Sequence, residues 1–304
     1  MPDLCARLSL PARVRLWVIN VDIVSGNPLH NLANVEHFRV LIDLIKRGRI
    51  HGWTIGPPCE TWSRARFRIL ERLRRAPRPL RSPQKPWGLD DLSKREYFQL
   101  SIGNVLLHCA ITLIVESIPC LASGVLEHPA CPEEDHLPSI WKLACMRRLA
   151  GHDDSHQFTF SQGLLGQASR KDTRLHAVRL PMLQRFISEF SDRRFLRASA
   201  ASPLEADGSF ATAKLKTYPP RMNACFLLSF LHQFASPLFE ADDLDDIVAD
   251  AKCILLNRCE FIRVNSEDGS FVEQDIPASV LDSDLSAYAD WPERHAMIGR
   301  DFAF

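Results

Sequence analysis

Short β-branched runs alternate along this chain with longer helical stretches, and that alternation limits the fold more than any other feature. "RLWVINVDI" (15–23), "RIHGWTIG" (49–56), "GVLEHP" (124–129), "HQFTFS" (156–161) and "TRLHAVRL" (173–180) each read as a strand. Between them, "ANVEHFRVLIDLIKRG" (33–48) reads as an amphipathic helix closed by Gly48. A long helix is expected from about Ser93 to Ser117, and "SIWKLACMRRLAG" (139–151) is expected to be helical throughout. Strands alternating with helices predict βαβ units, hence an α/β fold with a largely parallel sheet and helices on both faces.

This core is expected over residues 1–190. Residues 191–212 read as a short variable segment, and 213–237 as a helix behind the proline pair of "YPPRMNACFLLSFLHQF" that returns to the sheet. From 238 to 304 the composition turns acidic. A helix over "EADDLDDIVADAKCILL" and a hairpin over 259–276 make an expected α+β extension.

Zero net charge hides an asymmetry between the two ends. Residues 1–100 hold 18 Lys/Arg against 9 Asp/Glu, whereas residues 240–304 hold 5 against 16. A basic front half suits a polyanionic partner. Eight arginines fall within residues 64–81, among them Arg64, Arg66, Arg68, Arg72, Arg74 and Arg75, and such density favours phosphate contact. Residues 64–91 are expected to form a short basic helix followed by an ordered loop. No apolar run reaches the ~18 residues of a membrane span, and the N-terminus lacks the apolar core of a signal peptide. Nine cysteines without a C-x-x-C pair argue against a disulfide framework or a zinc ribbon, and the eleven histidines show no metal-ligand spacing. A reducing, intracellular setting is expected, with no metal and no membrane partner; a DNA partner points to the nucleus. Oligomeric state stays open.

In a parallel sheet, functional groups collect just past the carboxyl ends of strands. Asp22, Cys59, Glu127 and the polar turn "SQGLLGQASRKDT" (161–173) all fall there. Pro57 and Pro58 stiffen the turn that carries Cys59. A thiol and a carboxylic acid so placed suit attack on an electron-poor pyrimidine. Thiolate addition to C6 of cytosine makes C5 nucleophilic, and an acid or a guanidinium near N3 takes up the charge that develops. A base must leave its duplex to reach such a thiol.

On these residues the chain resembles the DNA cytosine-C5 methyltransferase family. "GPPCETWSRAR" is similar to its Pro-Cys motif, "VLEHPA" to its Glu-Asn-Pro/Val motif, and "FSQGLLGQASRKDTRL" to a later segment that carries an arginine at the base. With "PWGLDDL", "SIW" and "LKTYPP" the pattern resembles a divergent branch of that family, over roughly residues 15–235. The resemblance implies a Rossmann-like methyltransferase sheet that binds S-adenosylmethionine and DNA, with RNA not excluded. It implies Cys59 as nucleophile, Glu127 at N3, and Arg170 or Arg174 positioning the base. Asp22 is the implied contact to the cofactor ribose, with Pro57 and Pro58 shaping the loop beside it.

Three departures accompany the likeness. No glycine precedes Gly26, so the family's Phe-x-Gly-x-Gly turn is missing, and Asp22 stands only 37 residues before Cys59. The first strand of the sheet is therefore expected to be lacking. His128 replaces the usual asparagine, and Lys171-Asp172-Thr173 replaces Lys-Pro-Thr. His30-Asn31 stands where an aspartate before leucine is expected. These changes are more harmful to catalysis than to the fold, and a homologue that binds nucleic acid without methylating it is the alternative.

Overall fold

Four strands form one mixed sheet in the computed structural model, which describes residues 16–21, 30–67, 78–167, 170–195, 217–235, 245–249 and 251. They are β1 (Gly52–Ile55), β2 (Ser123–Pro129), β3 (Ser155–Ser161) and β4 (Asp172–Val178), in the order β1-β2-β4-β3. β1 and β2 run parallel, with Ile55 opposite Leu126. β4 runs antiparallel to both β2 and β3. The α/β class is as expected, but the largely parallel sheet is not. A 24-residue helix between β1 and β2 gives the chain room for a crossover, whereas the ten residues between β3 and β4 are too few for one, and the two strands pair antiparallel.

The expected opening strand is absent over its described part, 16–21, which joins no ladder; Trp17 is 88% exposed and Ile19 75%. A β-branched composition stabilises a strand only where the strand has a neighbour and a covered face. Asp22 and the hairpin expected over 259–276 lie outside the described residues.

Helices α1 (Val35–Lys46), α2 (Lys94–Ser117), α3 (Ala144–Ala150), α4 (Leu183–Phe190) and α5 (Pro220–Ala235) flank the sheet. α1 starts where the Asn34 side chain accepts from the Glu36 and His37 N–H groups. It stops just before Gly48, whose φ of +63° a side chain would disfavour. α2 starts on a capping box, the Ser93 hydroxyl accepting from the Glu96 N–H and the Glu96 carboxylate from the Ser93 N–H. By length and composition α2 is apolar enough to cross a membrane. Here Leu107, Ala110 and Ile114 bury it against the sheet. The single helix expected over 139–151 is two pieces, because Leu143 is extended between a 3-10 turn (Ile140–Lys142) and α3. α4 was not foreseen, although Leu183, Phe186, Ile187 and Phe190 have helical spacing and all are buried. The acidic extension is helical at 245–249, where Ile247 and Val248 reach the core.

Strand alternation sorts the core into two layers. Val125, Leu175 and Ala177 face α4 and α5; Leu126 and Val178 face α1, α2 and α3. β2 is buried at every position from Ser123 to His128, as befits a strand with neighbours on both edges. The same alternation places Glu127 toward α4 and α5, and His128 toward the opposite layer.

Candidate active site

β1 ends at Ile55, and the next four residues, Gly56 to Cys59, leave the sheet beside the end of β2. Pro57 is buried, while Pro58 and Cys59 are half-buried. The turn lies close over Glu127. A Cβ on Gly56 would sit 3.4 Å from Glu127 Oε2 and 2.3 Å from the Tyr218 hydroxyl. A side chain at Gly56 would collide with the Tyr218 hydroxyl, so glycine lets the thiol-bearing turn pack against Tyr218 and, beside it, Glu127.

Glu127 is held by four donors. Oε1 accepts from Gln162 Nε2 at 3.1 Å and Thr173 Oγ1 at 3.3 Å, and the Lys171 ammonium lies 3.4 Å away. Oε2 accepts from the Tyr218 hydroxyl at 3.3 Å. The Glu127 and Lys171 side chains are only 9% and 16% exposed, so their attraction is weakly screened. Thr173 reaches Glu127 because it lies on the same face of the sheet, two residues from Leu175, which is opposite Glu127. Gln162 comes from the 3-10 turn Gln162–Leu165, which ends at Gly166 with φ +96°. Gln167 Nε2 donates to the Thr217 carbonyl and so anchors the segment that brings in Tyr218.

Burial pushes the Cys59 thiol up to about 11; Glu60 and Glu127 add to the rise and Lys171 opposes it. The thiol is therefore held protonated at neutral pH. Burial, the Glu127 charge and the hydrogen bond to Glu127 raise the Tyr218 phenol well above its usual range, so it acts as a donor.

The cation at this carboxylate is Lys171, not an arginine. Arg170 is exposed and pairs with Asp172, its Nε 3.0 Å from both carboxylate oxygens. Arg174 lies opposite His128 in the ladder, on the other face of the sheet from Glu127. It donates to Thr159 Oγ1 and lies over Trp141, 5.7 Å from the ring centre. Lys171, Gln162, Thr173 and Tyr218 were not among the site residues expected from the sequence, although Lys171 and Thr173 stood out as departures from the family pattern. The signal available for Lys171 and Thr173 was strand parity: both share a face with Glu127 once the β2–β4 register is known.

The arginine cluster divides. Arg64 is exposed and pairs with Glu134. Arg66 is buried and donates to the Glu60 and Arg78 carbonyls and to Gln99 Oε1. Burial lowers its pKa, and it belongs to the structure of the loop rather than to a solvated face. Arg68, Arg72, Arg74 and Arg75 lie outside the described residues.

Arg81, 1% exposed, grips the turn after Cys59. Its Nε and Nη2 donate to Thr61 Oγ1, and its Nη1 to the Pro86 carbonyl and Asn104 Oδ1. Its guanidinium also stacks 4.0 Å from the centre of the Trp62 ring. Burial and the nearby Arg66 charge lower it to about 9. The Trp62 backbone N–H donates to the Cys59 carbonyl at 3.0 Å. The Cys59 turn is thus fixed by two buried guanidiniums as well as by its prolines. His128, between Trp62 and Trp141, has neither ring nitrogen hydrogen-bonded. Burial, with help from Arg81 and Lys171, depresses it to about 3, so it is neutral.

Of the residues implied for S-adenosylmethionine, Asp22 lies outside the described residues, Pro57 is buried in its turn and Pro58 is half-buried. The described residues hold no group of three or more potential metal ligands. No family model, no curated protein and no solved structure matches the chain.

Proposed function

We propose that the chain is a DNA cytosine-C5 methyltransferase-like domain whose Cys59 and Glu127 flank a cytosine base taken out of its stack. The observation that supports this reading is positional. Cys59 follows the carboxyl end of β1, Glu127 lies near the carboxyl end of the neighbouring parallel strand β2, and Gly56, in the turn that carries Cys59, lies against the Glu127 carboxylate. As Cys59 Sγ bonds to C6, the C5=C6 pair shifts to C4–C5 and the C4=N3 pair moves onto N3, which must gain a proton. In this reading Glu127 takes the proton that the Cys59 thiol loses and delivers it to N3, with Oε2 the oxygen on the Gly56 side. Gln162, Thr173 and Lys171 hold Oε1 and so fix the orientation of the carboxylate. Deprotonation of Cys59 is the costly step, because its surroundings favour the thiol, and Lys171 is the nearby cation that lowers this cost.

The departures from the family pattern at His128 and at Lys171-Asp172-Thr173 favour a second reading, a homologue that binds nucleic acid without methylating it. One experiment addresses both. The chain and its Cys59→Ser variant are incubated with a 5-fluorocytosine duplex and S-adenosylmethionine, then run on a denaturing gel. A covalent adduct with the parent chain and none with the variant supports the first reading. Salt-sensitive binding that is equal in both proteins, with no adduct, supports the second. An adduct that persists in the variant would remove Cys59 from the chemistry altogether.

A further inference from the structure

Glu127 uses its two oxygens differently. Three donors, Gln162, Thr173 and Lys171, converge on Oε1, at the inner side of the sheet end. Oε2, the oxygen next to Gly56 and the thiol-bearing turn, has the Tyr218 hydroxyl as its donor. Tyr218 arrives from 91 residues away in sequence. It is set by the bond from Gln167 to the Thr217 carbonyl and by edge-on packing against Phe226, 5.9 Å between ring centres. Its hydroxyl fills the space a side chain at Gly56 would occupy. Beside this cluster Gln162 Oε1 is buried without a hydrogen-bond partner, so the cluster as it stands leaves one acceptor unsatisfied.

We infer that the Tyr218 hydroxyl is a stand-in for a ligand's N–H: it occupies the donor place on Glu127 Oε2 in the crevice beside Cys59, and a ligand entering there must displace it. The physical argument is one of exchange. A buried carboxylate oxygen left without a donor is costly, so the closed crevice supplies its own. An incoming group gains affinity only if it brings a donor in return, such as an amino or amide N–H. A ligand presenting a carbonyl or an apolar edge at that point leaves Oε2 with nothing and is rejected. Tyr218 therefore acts as a specificity-determining residue. It sets the admission requirement and is not itself a reacting group. The inference rests on the reading of Cys59 and Glu127 as one site, but not on the identity of the base.

The test uses the whole chain and Tyr218→Phe, which deletes the hydroxyl and keeps the ring on Phe226. The rate of Cys59 alkylation by iodoacetamide, itself an amide N–H donor, is followed by mass spectrometry from pH 7 to pH 10. Adduct formation with the 5-fluorocytosine duplex is measured in parallel. The expected result is alkylation at least threefold faster in Tyr218→Phe at every pH, with its pH dependence otherwise unmoved. A change in thiol acidity or access would speed any alkylating reagent by the same factor. N-ethylmaleimide, which carries no N–H, is therefore run beside iodoacetamide and is expected to gain less; equal gains for the two reagents would overturn the role of Tyr218. Tyr218→Leu serves as a second variant if the first is poorly folded, and is expected to act in the same direction. The larger gain with iodoacetamide, without an adduct in either protein, would retain the role of Tyr218 and overturn the cytosine reading. Equal or slower alkylation in both variants would overturn the role of Tyr218, whatever the duplex does.

Discussion

The Lys171 ammonium lies 3.4 Å from Glu127 Oε1, and both side chains are largely buried at the end of the β2–β4 ladder. This pair, rather than any arginine, sets the electrostatics of the strand-end crevice.

Removing one partner of a buried pair strands the other. Glu127→Gln is expected to destabilise the fold by about 3 kcal/mol, because it leaves the Lys171 charge without its anion. Lys171→Met should cost less, since Gln162, Thr173 and Tyr218 still donate to the carboxylate. The double variant should be more stable than the sum of the single losses implies. Urea unfolding of the three variants measures this coupling, and strict additivity would show that the two groups do not interact.

The same charges act on Cys59 in opposite directions. Glu127 raises the thiol and Lys171 lowers it from the position, near 11, where burial chiefly holds it. Alkylation at pH 8 should therefore be slow in the parent chain, slower in Lys171→Gln and faster in Glu127→Gln. An urea-unfolded sample gives the reference rate of a free thiol. If both variants shift the rate the same way, the change reflects loosening of the crevice rather than charge.

Acid should destabilise the fold well before its carboxylates titrate. Burial depresses His128 to about 3 and His176 to about 4, whereas an unfolded histidine takes up its proton near 6.5. Between those values the unfolded chain binds protons that the folded chain does not. Stability from this source is complete above pH ~6.5 and falls as the pH drops toward 4, by about 1.4 kcal/mol per pH unit for each group. His128→Leu should shed its share of this slope. It should also be close to neutral at pH 7.5, since neither His128 nitrogen has a hydrogen bond to lose. Thermal melts of both proteins from pH 4 to pH 8 compare the slopes; identical slopes would place the acid sensitivity elsewhere.

Arg81 is expected to be more sensitive than its position in an arginine-rich stretch suggests. Arg81→Met leaves Thr61 Oγ1, the Pro86 carbonyl and Asn104 Oδ1 without their donor and loosens Trp62. A loss of about 3 kcal/mol is expected, against less than about 0.5 kcal/mol for Arg64→Met on the surface. Guanidinium-chloride unfolding of the two variants makes the comparison. Equal losses would mean that burial does not distinguish the two arginines.

Much of the frame was legible in local sequence. The ranges of α1, α2, α5 and all four strands follow from periods of 2 and 3.6 residues and from caps such as Asn34 and Ser93. So does the placement of Cys59 and Glu127 at strand ends. The direction of β4 was not legible in that way, because periodicity marks a strand without saying which neighbour it pairs with. The run 15–23 shows the converse: its composition is that of a strand, yet residues 16–21 join no sheet.

What the sequence by itself determined is therefore most of the elements, with Cys59 in the turn after β1 and Glu127 near the end of β2. The tertiary structure alone decided which groups surround them. Once Leu175 lies opposite Glu127, a two-residue period brings Thr173 to Glu127 and carries Arg174 to the far face. Arg170, in the same turn, pairs with its neighbour Asp172, leaving Lys171 as the cation within reach of Glu127. Tyr218 and Arg81 reach the site across 91 and 20 residues of chain, to Glu127 and Thr61 respectively. Such meetings are set by pairing register and by the need to satisfy buried polar groups, and neither is a property of any short stretch of sequence.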